Sequence, residues 1–122
     1  MKIDFEDLPL DHGIRLVAGV TLYQPVTLRH NGAAVDLTDH TVAFGIADDS
    51  GSPIVETTEI TPYNAAEGKF ILRAEATDTA SWPPGEYVYE VHVTFPPGAT
   101  QFAGGAVVPV LKGTITVVAS II

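Results

Sequence analysis

The sequence contains no cysteine, which removes disulfides, thiolate nucleophiles and every zinc site built on sulfur. Stability must come from packing. Positive charge is scarce as well: six Lys and Arg stand against fifteen Asp and Glu, for a formal net charge of −9. The cations, Lys2, Arg15, Arg29, Lys69, Arg73 and Lys112, are scattered, so no basic stripe exists to neutralise phosphates, and nucleic acid is not an expected partner. Long hydrophobic runs are missing too. The longest, Gly104 to Leu111, is interrupted by Pro109 and falls far short of the roughly 18 to 20 residues of a membrane span, so no membrane partner is expected. Asp4, Glu6, Asp7 and Asp11 occupy the amino terminus, where a secretory signal needs a cationic start and an apolar run. The expectation is a soluble protein made in a cytoplasm, without a signal peptide and without an N-glycosylation acceptor at Asn31 or Asn64.

What the chain does have is 46% hydrophobic and only 17% charged residues over 122 positions, enough for one globular domain with its own core. Nine prolines and eleven glycines cut it into apolar runs of strand length. Thr21 to Arg29 places Leu22, Val26 and Leu28 on one parity and stops at His30-Asn31-Gly32, a turn in which Asn and Gly take positive φ. Pro25 within it points to an edge or a bulge. Thr41 to Ala47 sets Val42, Phe44 and Ile46 on one face and runs into the Asp48-Asp49-Ser50-Gly51 hairpin turn, from which Pro53 to Glu59 returns. After the Glu67-Gly68 turn, Phe70, Leu72 and Ala74 alternate with Lys69, Ile71, Arg73 and Glu75 as a half-buried strand.

Residues 76–82 break the alternation, with Thr77 as candidate cap, and read as a short helical turn ended by Pro83-Pro84-Gly85. The clearest strand is Glu86 to Phe95, with Tyr87, Tyr89, Val91, Val93 and Phe95 inward. Pro96-Pro97-Gly98 turns the chain, Gln101 to Leu111 returns, and Lys112 to Val118 forms a last strand with Ile115 and Val117 inward. The pattern predicts an all-β, immunoglobulin-like antiparallel β-sandwich of about seven to eight strands. Residues 14–122 form the sandwich and residues 1–13 an amino-terminal arm.

Chemistry has little to work with. His12, His30, His40 and His92 fall in no metal-ligand spacing, and their expected role is that of solvated surface side chains. The Asp48 to Gly51 segment resembles a fragment of a calcium loop but lacks the alternating oxygen ligands and the distal glutamate. No nucleophile elbow, phosphate loop or dinucleotide fingerprint occurs. We therefore expect no catalytic residue, no bound metal and no cofactor. A hydrolase would need Glu90 and His92 to line a cleft. A carbohydrate- or receptor-binding module would use loop tips and an aromatic platform, for which Trp82, Tyr87 and Tyr89 are candidates, although core packing accounts better for all three.

The order His30-Asn31-Gly32-Ala33-Ala34, Val35-Asp36-Leu37-Thr38, Thr41-Val42-Ala43-Phe44, an Asp-rich hairpin, a helical turn, Pro84-Gly85-Glu86-Tyr87-Val88-Tyr89 and a closing Leu111-Lys112-Gly113-Thr114-Ile115-Thr116-Val117 resembles the small immunoglobulin-like domains of tailed-phage and prophage virion proteins. The amino-terminal domain of upper baseplate proteins is one of these. The resemblance spans roughly residues 14 to 118. It implies a non-enzymatic structural role in a virus particle, as a piece that joins or decorates other subunits of tail, baseplate, neck or capsid. Its implied partners are other virion proteins and further copies of itself, assembled in a bacterial host cytoplasm.

The candidate protein contacts are Ile3, Phe5, Leu8 and Leu10 of the arm and Ile121 and Ile122 at the other end. The sequence leaves two readings open for both ends. Apolar residues interleaved with carboxylates suit a strand donated to a neighbour, and they suit an edge strand of the same sandwich equally.

Overall fold

The computed structural model describes residues 1–99 and 101–122, with the backbone alone for 55–58. Its strands are β1 (Lys2–Asp4), β2 (Leu10–Asp11), β3 (Ile14–Val17), β4 (Leu22–His30), β5 (Ala33–Ala34), β6 (Thr41–Asp48), β7 (Pro53–Ile60), β8 (Lys69–Ala74), β9 (Gly85–Pro97) and β10 (Gly104–Val118). One helical turn, α1 (Ala76–Thr79), joins β8 to β9. The chain is an all-β sandwich with one short helix, as its alternation predicts.

In the first sheet β4 is central. β1 lies along one side of it in parallel, while β8 and the short β5 lie antiparallel on the other. The second sheet runs β7-β6-β9-β10 antiparallel, and β2 and β3 add in parallel along the outer side of β10. Both sheets are therefore mixed, and the parallel pairs all come from the first seventeen residues, which cross from one sheet to the other. Pro25 sits where β1 has not yet begun, so its missing N–H interrupts no ladder, and its carbonyl accepts from the Met1 ammonium at 3.2 Å.

The period-two pattern of β9 fixes the core. Tyr89, Val91, Val93 and Phe95 are 1% exposed or less and Tyr87 6%, whereas Val88 on the opposite parity is 48% exposed. Beside them in the same sheet are Val42, Phe44 and Ile46 of β6, and the opposing sheet contributes Val26 and Leu28 of β4 and Phe70 and Leu72 of β8, all buried. The phenol of Tyr87 donates back to the Pro83 carbonyl, a tyrosine corner that ties the start of β9 to the turn before it. Trp82 is buried at that end and packs 6.4 Å from the Tyr87 ring.

Two local expectations change. The predicted returns Gln101–Leu111 and Lys112–Val118 are joined in one strand, β10, which starts only at Gly104 and has a bulge between Pro109 and Leu111. The extra residue reverses the parity, so Val110 and Leu111 are both fully buried, and Ile115 and Val117 continue the inward set on odd numbers. That reversal is why the segment reads as two strands. Within the helical turn the anchoring residue is Thr79, not Thr77. The N-cap position belongs to Glu75, which makes no side-chain cap bond, while the buried Thr79 hydroxyl donates to the Val20 carbonyl at 2.8 Å and accepts from the Gly19 amide at 3.2 Å.

Candidate interaction surfaces

The arm folds onto its own sandwich. β1 pairs with Thr27–Arg29 of β4, and Ile3 is 1% exposed, part of the core rather than a side chain offered outward. Phe5, Leu8 and Leu10 are partly buried against the same core. The Phe5 ring meets Phe95 edge-on at 5.8 Å and lies 6.2 Å from Phe102, so the arm and the β9–β10 loop close one end of the sandwich together. Polar anchors hold this path. The Asp4 carboxylate accepts from the amides of Glu6 and Gly32, each at 3.2 Å, and so clamps the arm to the β4–β5 turn. Those backbone bonds, with the nearby His30, hold its carboxyl below the usual value of 3.8.

Further along, the Tyr89 phenol donates to the His12 carbonyl at 2.5 Å. Burial, with the charge of Asp11 adding to it, pushes this phenol up to about 12. The backbone of His12 passes so close to Gly113 that a Cβ there would overlap the His12 carbonyl, which explains a glycine in the middle of β10.

The other end is different. Beyond β10 the chain leaves the sheet, and Ile121 and Ile122 are fully exposed at 100% and 114%. Of the six candidate contact residues these two stay entirely open.

The outer face of the second sheet carries a shallow, open depression of about 940 Å³. Its floor is Ala43, Gly45 and Ala47 of β6, and its sides include Val88, Glu90 and His92 of β9 and Lys112 and Thr114 of β10. Small side chains on β6 beside long ones on β9 and β10 produce the hollow. His92 Nε2 lies 3.3 Å from Glu90 Oε2, so these two residues do line one surface, but both are well exposed. No Ser or Cys hydroxyl or thiol lines the depression with them, and among the described residues no group of three His, Asp or Glu side chains is placed to hold a metal. Asp48 Oδ1 accepts from Ser50 Oγ at 2.7 Å and from the amides of Ser50 and Ser52, the bonds of a capped hairpin turn.

The aromatic platform is absent from the surface: Trp82, Tyr87 and Tyr89 are all buried. The aromatics that do face solvent are Tyr23 and Tyr63, at 56% and 58% exposure. Val107 on β10 is 63% exposed as well, and the alternation does not mark it, because the bulge between Pro109 and Leu111 sets the two halves of the strand on opposite parities.

Neither a family model nor a curated protein matches the sequence. Among solved structures, the chain is similar to the N-terminal domain of phage TP901-1 ORF48, with a TM-score of 0.61 over 95% of this chain and 93% of that one, at 10% identity. At that identity the likeness is one of fold, and it extends over nearly the full length of both chains. Its fold is thus similar to that of an amino-terminal domain of a phage protein, the kind of neighbour that the order of turns and strands in the sequence resembles.

Proposed function

We propose that the chain is a non-enzymatic structural component of a tailed-phage or prophage particle, joining or decorating other virion subunits. The observation that carries this reading is the fold likeness to a phage protein domain over nearly the full length of both chains. The surface supports it. Apart from the exposed Glu90–His92 pair it carries little reactive chemistry, and it presents bare apolar groups in Ile121, Ile122 and Val107, which are contacts awaiting cover. Its partners on this reading are other virion proteins and further copies of the chain, met in the host cytoplasm where particles assemble.

An antibody against the purified chain, applied to particles released from a strain carrying the gene, tests this. Electron microscopy should show label at a fixed position on the particles. Particles free of the chain, with all of it left in the soluble fraction, would overturn the proposal.

A further inference from the structure

Cations scattered along the sequence are gathered by the fold. The strands of the first sheet carry four of the six, Lys2, Arg29, Lys69 and Arg73, with Asp4 as their one carboxylate. The strands of the second sheet carry the other two, Arg15 and Lys112, with six carboxylates. All four cations of the first sheet stand on its outer parity, because their neighbours Ile3, Leu28, Phe70 and Leu72 point into the core. Pairing register sets their arrangement. Lys2 and Lys69 flank Thr27 from either side, about 10 Å apart across three strands, and Arg29 lies one pleat further along β4. In the other direction come Pro25 beside Ile71, then the exposed Tyr23 beside Arg73. The outer face thus reads as a cation, two cations, an apolar pair, and a tyrosine with a cation, in steps of about 7 Å.

This charge is only partly answered within the chain. Lys69 meets Glu67 at 3.2 Å and Arg73 meets Glu75 at 3.0 Å, exposed pairs of the kind worth little to stability. Lys2 and Arg29 pair with no carboxylate among the described residues. Asp4, opposite Arg29 in the ladder, is turned to the amides of Glu6 and Gly32, and the Arg29 guanidinium donates to the Gly32 carbonyl at 3.3 Å. Complementarity therefore selects carboxylates from outside. A second copy would bring its own net charge of −9 against the rest of the surface. A long polyphosphate would run beyond a patch about 20 Å in length onto the acidic surroundings, whereas a short acidic segment fits inside it.

We propose that the outer face of the first sheet docks an extended acidic segment of another virion subunit. Its carboxylates meet Lys2, Lys69 and Arg29, and an apolar side chain between them covers Pro25 and Ile71. Only the source of the segment rests on the structural role proposed above. The docking itself is read on the purified chain, so the two fail separately.

The probe is the peptide acetyl-Glu-Ser-Glu-Ser-Val-Ser-Glu-amide, titrated to about 5 mM into the isotopically labelled chain at about 20 mM salt. Amide resonances of residues 2, 26–29 and 69–73 should move together along one binding curve. The same peptide with Lys in place of Glu should leave them still. Raising the salt to about 0.3 M should weaken binding at least fivefold, and the double variant Lys2→Glu, Lys69→Glu should weaken it about tenfold. Should that variant fail to fold, the salt series and the lysine peptide decide alone. Resonances that stay still, equal binding of the lysine peptide, or indifference to salt overturns the proposal. So does tighter binding of an oligothymidylate at the same residues, which would mark a nucleic-acid face, and so do shifts there on diluting the chain alone, which would mark a contact between copies.

Discussion

The two ends of the chain both carry apolar residues and end up in opposite states. In the arm, residues 1–12, Ile3 is 1% exposed, whereas beyond β10 Ile122 is wholly exposed. Hydrophobicity does not separate them. What does is the set of polar anchors that only the arm possesses: the Asp4 clamp on the Gly32 amide, the Tyr89 bond to the His12 carbonyl, and two sheet edges, on β4 and β10, that accept it in parallel. The far end has Ser120, whose hydroxyl bonds only to Ile122 two residues on. Burial of an apolar side chain at a chain end thus depends on whether the backbone beside it finds partners.

The strongest way to break this comparison is deletion. Removing residues 1–12 takes away Ile3, β1, β2 and the acceptor of Tyr89 together, and should abolish cooperative unfolding or lower the melting temperature by more than 10 °C by circular dichroism, at roughly 4 °C per kcal/mol. Ile3→Ala alone should cost about 2 to 5 kcal/mol in a denaturant titration, the range for a fully buried large-to-small change. A truncated chain as stable as the full one would make the arm an ornament, and the two ends equivalent after all.

How far the sequence announces this differs from element to element. The inward set of β9 is legible because a period of two allows a single buried parity, and Asn31-Gly32 and Gly68 mark turns by positive φ, with 53°, 79° and 69°. The fate of the arm is not legible, because strand addition within a chain and between chains demands the same alternation. Tyr89 shows the same limit. Its parity reveals burial, but not that its hydroxyl reaches a carbonyl 77 positions away. The outer depression was out of reach for a related reason, since the small residues of β6 matter only beside β9 and β10.

Smaller perturbations sharpen the contrast. Tyr89→Phe leaves the His12 carbonyl without its donor and should cost about 0.5 to 1.5 kcal/mol. The phenol's value is raised in the folded state, so its contribution is complete below pH 10 and is lost as pH rises from there through about 12. The wild type should therefore lose stability over that interval more steeply than Tyr89→Phe. Asp4 has the opposite sign. Its carboxyl is depressed, so the clamp is intact above about pH 3.8 and loosens as pH falls below it. The Gly32 amide resonance should shift across that acid range in the wild type and stay still in Asp4→Ala.

The smallest effect on stability is expected at the opposite end. Ile121 and Ile122 touch none of the core, so replacing both with Ser should leave the melting temperature within experimental error of the wild type. The consequence should appear only where something covers them. Burying an isoleucine side chain removes it from water for a gain of about 1.5 to 3 kcal/mol. If the exposed pair docks against a neighbouring subunit, losing both should weaken incorporation into particles at least tenfold by quantitative blotting. Normal incorporation would show that the pair is never covered and would move the search for a contact to the outer face of the first sheet. A drop in melting temperature would show instead that these residues pack against their own sandwich in solution, and the contrast between the two ends would disappear.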